Sequence, residues 1–329
     1  MTKFKPASGI SNRHIQTLFS TFFRKKIKLD FQSEIFELSD GDFVDCYWLN
    51  KPKKDSTKPI VILFHGLEGS YTSPYIQGAM NELNKAGYSS VLMHFRGCTS
   101  KGNRLPRLYH SGDTADAKAF ITYLCNTYTK SKLYAIGYSM GGNMLLKLLG
   151  ESKENCLLAA AVCISVPMQL DISSKTINQG FSKLYQTHLL KHLKSSLLKK
   201  YEQFDMQLII NLKKEDVNKI KTIWEFDHLY TAKIHNFKTA QNYYKQSSSK
   251  QYLKDITIPT LIIHALDDPF MTKDILPNKN ELSNSITLEI YAHGGHVGFI
   301  SGTIFNPVYW LESRVVEYFR SNLFNNRVK

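Results

Sequence analysis

Short runs of β-branched and aliphatic residues recur along this chain, and helical patterns separate them. Six runs predict strands, at residues 60–64, 88–94, 133–136, 157–166, 260–263 and 286–291. Helical patterns occur near residues 75–86, 113–128, 140–150, 274–282 and 307–324. Strands that alternate with helices predict a mainly parallel sheet with helices on both faces. Residues 31–49 predict two further strands in an antiparallel hairpin at the sheet edge, which makes the predicted sheet eight-stranded.

The alternation of strands and helices stops between Pro167 and Asp255 and then resumes. In this stretch Leu, Ile, Tyr and Phe recur at three- and four-residue spacing, which is typical of helices. A helical insertion after the sixth strand predicts a cap over the carboxyl edge of the sheet. We therefore predict a basic N-terminal arm (1–30), an α/β core (31–166 and 256–329) and a helical cap (167–255).

Positive charge is concentrated in two of these segments. The 329 residues carry a net charge of +14, and residues 1–29 supply seven Lys and Arg with no acid. Residues 167–255 hold fifteen Lys against eight Asp and Glu, and the rest of the chain is balanced. This excess indicates either weak peripheral association of the arm and cap with an anionic membrane, or a packed arm whose lysines face water. No nucleic-acid-binding motif accompanies the charge, so we do not expect nucleic acid as a partner.

The apolar runs and the cysteines indicate the cellular compartment of the protein. The longest apolar run, residues 157–168, is too short to span a bilayer, and residues 1–6 lack the apolar core of a signal peptide. The five cysteines are widely spaced and form no C-x-x-C pair, which is typical of reduced thiols. We expect a cytoplasmic protein, free or peripheral at the inner membrane. The patterns leave its oligomeric state open.

A serine lies where one predicted strand meets the next predicted helix. Residues 137–142 read G-Y-S-M-G-G and connect strand 133–136 to helix 140–150. The pattern G-x-S-x-G in this context is typical of a sharp turn that exposes a serine hydroxyl above the sheet. Ser139 is therefore the predicted nucleophile. Such a hydroxyl needs a base to take its proton, and the base is usually a histidine oriented by a carboxylate.

Candidate acids and bases follow Ser139 in the order acid, then histidine. Asp267 and Asp268 follow one predicted strand, and His293 and His296 follow the last strand. We favour Asp268, which lies further past the strand end, because Asp267 also fits a turn residue that caps its own backbone. We favour His296 because two glycines precede it in a tight loop, but His293 stays an alternative base.

Two backbone N–H groups are predicted to stabilise negative charge on a reacting oxygen. They belong to Met140, which follows the serine, and to Leu67 in the loop after strand 60–64. Three further side chains lie just after strand ends and are candidate site-lining residues, although each also fits loop anchoring: His65, Arg96 and Cys98. The sequence contains no metal-ligand spacing and no phosphate or dinucleotide loop, so we expect neither a metal nor a cofactor.

Taken together, these motifs resemble the YheT-like branch of the α/β-hydrolase superfamily, which is related to the eukaryotic abhydrolase-domain lipases and esterases. The segments that carry the resemblance are N-R-H-I-Q-T-L (12–18), H-G-L-E-G-S (65–70), S-P-Y (73–75), M-H-F-R-G-C (93–98), N-R (103–104), Y-H-S-G (109–112), G-Y-S-M-G-G-N (137–143), E-F-D (225–227), P-T-L-I-I-H (259–264), D-D-P-F (267–270) and H-G-G-H-V-G-F (293–299). The resemblance implies an α/β-hydrolase fold. Carried over by position, the triad of that family falls on Ser139, Asp268 and His296.

The resemblance also implies a chemistry. It predicts a serine carboxylesterase or lipase-like hydrolase that needs no cofactor and acts on a small ester with short or medium acyl chains, or on acylglycerols. Alcohol O-acyl transfer is an alternative, since some family members are acyltransferases. A non-catalytic basic protein that binds membrane or nucleic acid is a second alternative, which the intact Ser, Asp, His order disfavours. Thr99-Ser100 stands where relatives often have Ser-Gly, which affects the fit of acyl or alcohol groups but not the triad.

Overall fold

The computed structural model of this chain describes residues 3–325. The predicted arm and core also include residues 1–2 and 326–329, which lie outside the described residues. The strands are β1 (Gln32–Glu37), β2 (Phe43–Leu49), β3 (Ile60–Phe64), β4 (Ser89–Met93), β5 (Leu133–Tyr138), β6 (Ala160–Ile164), β7 (Thr260–Ala265), β8 (Ile286–Tyr291), β9 (Ile300–Gly302) and β10 (Pro307–Tyr309).

The first eight strands form one sheet in the order β1-β2-β4-β3-β5-β6-β7-β8. β2 pairs antiparallel with β1 and with β4, whereas the pairs from β4 through β8 are parallel. The predicted eight-stranded, mainly parallel sheet with an antiparallel hairpin at its edge is therefore confirmed. β9 and β10 form a separate antiparallel hairpin.

Helices cover both faces of the sheet and fill the interval between β6 and β7. They are α1 (Arg13–Phe23), α2 (Pro74–Lys85), α3 (Ala115–Thr127), α4 (Met140–Ser152), α5 (Leu170–Ile177), α6 (Ser182–Tyr201), α7 (Met206–Ile210), α8 (Lys214–Val217), α9 (Ile223–Phe226), α10 (Ala232–Ile234), α11 (Ala240–Ser247) and α12 (Trp310–Asn325). None of these helices is both long and apolar enough to cross a membrane.

Alternation along the buried strands divides the core between the two faces of the sheet. In β3, Ile60, Ile62 and Phe64 join the apolar cluster that contains α3 and α4. Val61 and Leu63 point the other way, into the cluster that contains α2 and α12. Because both faces are covered, all five residues of β3 are buried, which explains the continuous apolar run in the sequence.

The helices α5 to α11 follow β6, where the sequence pattern places an insertion. Tyr230 in this segment accepts a hydrogen bond from the Leu108 N–H at 3.0 Å and donates one to the Pro106 carbonyl at 3.1 Å. Asn143 of α4 donates to the carbonyls of Ser111 and Ser247, both at 2.8 Å. These bonds fix the helical segment to the loops at the carboxyl edge of the sheet.

Two helix predictions near the carboxyl end of the chain need correction. A helix over 274–282 is wrong, because the structure has only two short 3₁₀ turns there, Lys273–Ile275 and Lys279–Glu281. Pro277 lies between them, lacks a donor N–H and disfavours helical geometry at the residue before it. The helix predicted from 307 begins at Trp310, because residues 307–309 pair with β9 instead.

The N-terminal arm packs against the loop that follows β8. The side-chain amide of Gln16 in α1 is buried, donates to the carbonyls of Ile10 and Ile300, and accepts the Ile300 N–H at 2.7 Å. Phe19 joins a small apolar cluster that also contains Ile300. One face of α1 is therefore part of the fold, and its other face is in contact with solvent.

Candidate active site

The turn between β5 and α4 holds Ser139 in a conformation that few residues adopt. Its φ and ψ are +50° and −119°, and its N–H donates to the Ile164 carbonyl at 2.8 Å. The neighbouring glycines let the strand and the helix approach closely, since a Cβ on Gly137 would lie 2.6 Å from the Gly141 carbonyl oxygen. A Cβ on Gly141 would lie 2.4 Å from the His65 carbonyl oxygen. Strain of this kind is typical of functional turns.

A continuous line of hydrogen bonds joins the three side chains that the sequence favours. The His296 Nε2 lies 2.9 Å from the Ser139 Oγ, and its Nδ1 lies 2.8 Å from the Asp268 Oδ2. Asp268 is 1% exposed, and its other oxygen accepts the Phe270 N–H at 2.8 Å. A carboxylate against Nδ1 requires the proton on that nitrogen, which leaves Nε2 free to accept the serine proton.

The alternative acid and base pair with each other at the rim of this site. The Asp267 Oδ2 lies 3.3 Å from the His293 Nδ1, and the His293 side chain is half exposed. The other Asp267 oxygen accepts the Gly295 N–H at 2.9 Å. Asp267 thus shapes the loop that carries His296, and the bonds to Ser139 come from His296.

The loop after β3 presents one backbone N–H group that has no partner among the described residues. Tyr75 Oη accepts the Gly66 N–H at 2.9 Å, Tyr109 Oη accepts the Glu68 N–H at 3.0 Å, and the Gly66 carbonyl accepts the Gly69 N–H. The Leu67 N–H between them makes no hydrogen bond in the part of the chain that is described.

This unpartnered N–H group belongs to a loop that lies against the serine. A Cβ built on Gly66 would lie 3.3 Å from the Ser139 Cβ. The Met140 N–H, at the first position of α4, likewise makes no hydrogen bond within residues 3–325. Both N–H groups that the sequence singles out are therefore without a hydrogen-bond partner in the part of the chain that the structure describes.

Comparison with known proteins agrees with the fold described above. A family model described as the alpha/beta hydrolase fold matches residues 59–303. The Escherichia coli protein YheT is 42% identical over 98% of this chain and 94% of its own length. The chain belongs to the α/β-hydrolase family. The resemblance to the YheT-like branch seen in the sequence is thereby confirmed.

Two other relatives of this α/β hydrolase carry the names of lipid-cleaving enzymes. The mouse phospholipase ABHD3 is 29% identical over 87% of this chain and 71% of its own length. The Saccharomyces cerevisiae monoacylglycerol lipase is 30% identical over 84% of this chain and 64% of its own. Among solved structures, the Pyrococcus furiosus esterase Pf2001 shares the fold with a TM-score of 0.58, 19% identity and coverage of 89% and 93%. The chain is a hydrolase of the esterase and lipase type.

His65, a candidate lining residue, uses both ring nitrogens to tie two loops of this hydrolase together. Its Nε2 accepts the Phe95 N–H at 3.2 Å, so the proton lies on Nδ1, which donates to the Gly66 carbonyl at 2.7 Å. Burial lowers the pKa of His65 to about 3, so the ring is neutral. His65 therefore positions the Leu67 loop through hydrogen bonds to the backbone.

Arg96 and Cys98, the other candidate lining residues, are both engaged within the protein. Arg96 is 2% exposed, binds Asp116 through two nitrogens at 2.6 and 2.7 Å, and donates to Asp40 and Asp42. This network anchors the loop after β4. Burial raises the pKa of the Cys98 thiol well above its ordinary value, which makes it a poor nucleophile.

Two side chains that support the loops of the site, Tyr109 and Thr17, were not predicted from the sequence. Tyr109 donates to the Glu68 Oε1 at 2.8 Å in addition to accepting the Glu68 N–H. Thr17 of α1 accepts the His296 N–H at 2.9 Å. Both lie inside segments that carry the family resemblance, 109–112 and 12–18, which is the only signal that points to them.

The surroundings of the imidazole are apolar on one side. The Phe270 ring stacks on the His296 ring with centroids 4.1 Å apart and an angle of 18°. Phe270 in turn contacts Tyr185 of α6, and Ser182 of α6 donates to the Pro269 carbonyl at 2.6 Å. No group of three or more metal-ligating side chains occurs within residues 3–325.

Proposed function

We propose that this α/β hydrolase cleaves carboxylic esters with short or medium acyl chains, including acylglycerols, through an acyl-enzyme on Ser139. The observation that carries the proposal is the hydrogen-bonded line from Asp268 through His296 to Ser139, next to two unpartnered backbone N–H groups. A nucleophile, an oriented base and two donors for an oxyanion are the groups that acyl transfer requires.

In the first half of the reaction, His296 takes the Ser139 proton as the oxygen attacks the ester carbonyl carbon. The N–H groups of Leu67 and Met140 donate to the oxyanion of the tetrahedral intermediate. The C–O bond to the alcohol then breaks, and His296 gives its proton to the leaving alkoxide. Asp268 holds the proton on Nδ1 and stabilises the imidazolium.

In the second half, water replaces the alcohol. His296 removes a proton from this water as the water oxygen attacks the acyl-enzyme. The second intermediate collapses to release the carboxylic acid, and the proton returns from His296 to Ser139. The reaction needs no redox partner and no group beyond ester and water.

Two observations support lipid-like esters as the substrate class. Two relatives are named as a phospholipase and a monoacylglycerol lipase. The Phe270 ring stacks on His296 and the Tyr185 ring packs against Phe270, so the two rings form an apolar patch that suits an acyl chain. Because Tyr185 belongs to α6, we infer that the helices between β6 and β7 set the acyl length.

Hydrolysis of p-nitrophenyl esters of increasing acyl length tests the proposal. Wild-type protein should turn over the shorter esters, and Ser139→Ala should abolish turnover, whereas Ser321→Ala at the exposed end of α12 should retain it. Equal turnover by wild-type protein and Ser139→Ala would refute the proposal. Product analysis with added ethanol distinguishes hydrolysis from acyl transfer, since transfer produces the ethyl ester.

We also infer that the protein acts in the cytoplasm. All five cysteines are free, and Cys46 and Cys163 are buried in the core. Free thiols are typical of a reducing compartment. Cell fractionation tests this inference, and recovery of the protein from an oxidising compartment would contradict it.

A further inference from the structure

Three large aromatic side chains project into solvent from α1 and from the β9–β10 hairpin. Phe22 and Phe23 at the end of α1 are 70% and 71% exposed, and Phe305 at the hairpin tip is 97% exposed. Ile304 beside it is 52% exposed. We call Phe22, Phe23, Ile304 and Phe305 the arm–hairpin surface. Exposed apolar groups at this level indicate a contact surface when they occur together.

The two elements that carry this surface form one packed unit. Arg24 pairs with Glu312 through two hydrogen bonds and lies 3.8 Å from the centre of the Tyr309 ring. Phe19 packs with Ile300 and Tyr309 in one apolar cluster. A strand rises about 3.4 Å per residue, so Phe305 lies within roughly 14 Å of Tyr309. The arm that carries Phe22 and Phe23 is therefore packed against the base of the hairpin that carries Phe305.

The charge around the arm–hairpin surface is positive. Lys25, Lys26 and Lys28 follow α1, all three are exposed, and residues 3–29 contain no acid. Residues 297–311 carry no Lys, Arg, Asp or Glu. Exposed aromatic side chains flanked by lysines match a bilayer, whose apolar interior lies beneath anionic headgroups.

We propose that the arm–hairpin surface docks on an anionic lipid bilayer, with the phenylalanines inserted at the interface and the lysines against the headgroups. α1 also touches the candidate site, because Thr17 accepts the His296 N–H and a Cβ on Gly295 would lie 2.5 Å from the Arg13 carbonyl oxygen. Docking therefore places the loop that carries His296 near the lipid surface. The proposal rests on exposure and charge and does not depend on the proposed esterase activity.

Vesicle sedimentation of the full chain tests the apolar contribution. The vesicles contain equal parts of phosphatidylglycerol and phosphatidylcholine, at roughly 0.15 M salt. Phe22→Ser combined with Phe23→Ser should lower the partition coefficient at least about tenfold, and Phe305→Ser should lower it further. The matched control is Leu208→Ser combined with Ile209→Ser, which removes side chains that are 82% and 44% exposed.

The control lies far from the proposed surface. Leu208 and Ile209 are in α7, which follows the carboxyl end of α6. In contrast, α1 meets the amino end of α6, where the His14 Nδ1 lies 3.2 Å from the Tyr185 Oη. Since α6 has 20 residues, its length of about 30 Å separates the two regions. The exposed side chains carry little of the fold, so the melting temperature should change little in either variant, and circular dichroism checks this.

A second pair of variants tests the charge. Lys25→Glu with Lys26→Glu should reduce binding at least about tenfold and flatten its dependence on phosphatidylglycerol, because these lysines lie at the proposed interface. Lys213→Glu with Lys214→Glu makes the same charge change at the start of α8 and should reduce binding much less. Binding by Ser139→Ala should equal that of the wild-type protein, so a failed esterase assay leaves this test intact.

Three results would overturn the proposal. In the first, wild-type protein stays in the supernatant with vesicles that contain phosphatidylglycerol. In the second, the α7 and α8 variants lose as much binding as the arm variants. In the third, light scattering shows a dimer that the Phe22 and Phe23 changes dissociate while vesicles bind neither form, which would mean that a second copy of the chain covers the arm–hairpin surface.

Discussion

Replacement of Tyr109 by Phe removes one hydroxyl that holds the oxyanion loop, which is the loop after β3 that contains Leu67. That hydroxyl accepts the Glu68 N–H at 3.0 Å and donates to the Glu68 Oε1 at 2.8 Å, so it fixes the residue directly after Leu67. Burial raises the pKa of Glu68, so its carboxyl depends on this partner. Removing the hydroxyl leaves a partly buried N–H and a partly buried carboxyl without this partner, which should lower the free energy of unfolding by about 1–3 kcal/mol.

The effect on the rate follows from the position of the Leu67 N–H group. Complete loss of one oxyanion donor reduces kcat about 10²–10³-fold. In Tyr109→Phe the bonds from Gly66 to Tyr75 and from Gly69 to Gly66 still hold the loop, so the donor is displaced but not lost. We expect kcat to fall about 10–100-fold with little change in KM, because the Leu67 bond strengthens only as the oxyanion forms.

Tyr244→Phe is the matched control for this change. The Tyr244 hydroxyl also donates to a buried carboxylate, the Asp227 Oδ2 at 2.7 Å, but in the helices between β6 and β7. Urea unfolding of both variants should show similar losses of stability, whereas kcat on a p-nitrophenyl ester should fall only in Tyr109→Phe. If kcat of the two variants agrees within about twofold, Tyr109 does not position the oxyanion loop.

Further predictions concern the acid, a buried carboxyl and the buried arginine. Asp268→Asn removes the charge that stabilises an imidazolium and should reduce kcat about 10³–10⁴-fold, whereas Asp267→Asn should retain most activity in the same ester assay. Burial raises the pKa of Asp227 from 3.8 to about 6, so the folded state binds this proton more tightly. Relative to Asp227→Asn, the wild-type protein should therefore lose about 2 kcal/mol of unfolding free energy between pH 4 and pH 6.5, measured in urea. Arg96→Ala removes the charged partner of buried carboxylates, Asp42 among them, and should cost about 3–5 kcal/mol in the same measurement.

Much of the sheet, and the three hydrogen-bonded side chains Ser139, His296 and Asp268, could be predicted because each depends on local sequence. Strands such as β3 are buried on both faces and read as continuous apolar runs. The turn at Ser139 needs small neighbours within a few residues, and the sequence shows them as Gly137 and Gly141. Asp268 and His296 follow strand ends, and the carboxyl ends of parallel strands meet at one edge of the sheet.

The supporting contacts could not be predicted, because they join segments that are distant in sequence. Thr17 and His296 are separated by 279 positions, and Tyr109 and Glu68 by 41. The periodicity of a sequence does not indicate which distant residues form such a pair. The error over 274–282 has a local cause instead, since apolar spacing outweighed the effect of Pro277 on its neighbours.

The two halves of the candidate site differ in whether the N-terminal arm helps to hold them. Tyr75 and Tyr109 fix the Leu67 loop, and both belong to the α/β core. The loop that carries His296 accepts support from Asp267 and Ser165 of the core and also from Thr17 of the arm. Phe270, which stacks on the His296 ring, contacts α6.

Changes in the arm or in α6 should therefore alter proton transfer and acyl fit, while the oxyanion donors keep their geometry. Thr17 and Phe22 lie on one helix, about 8 Å apart along its axis, because each residue adds 1.5 Å. An arm that docks on lipid would hold the base by the same helix, so contact with the bilayer and the position of His296 are mechanically linked. A vesicle-dependent change in kcat that Thr17→Val abolishes without loss of binding would establish that link, and a change that persists in Thr17→Val would exclude it.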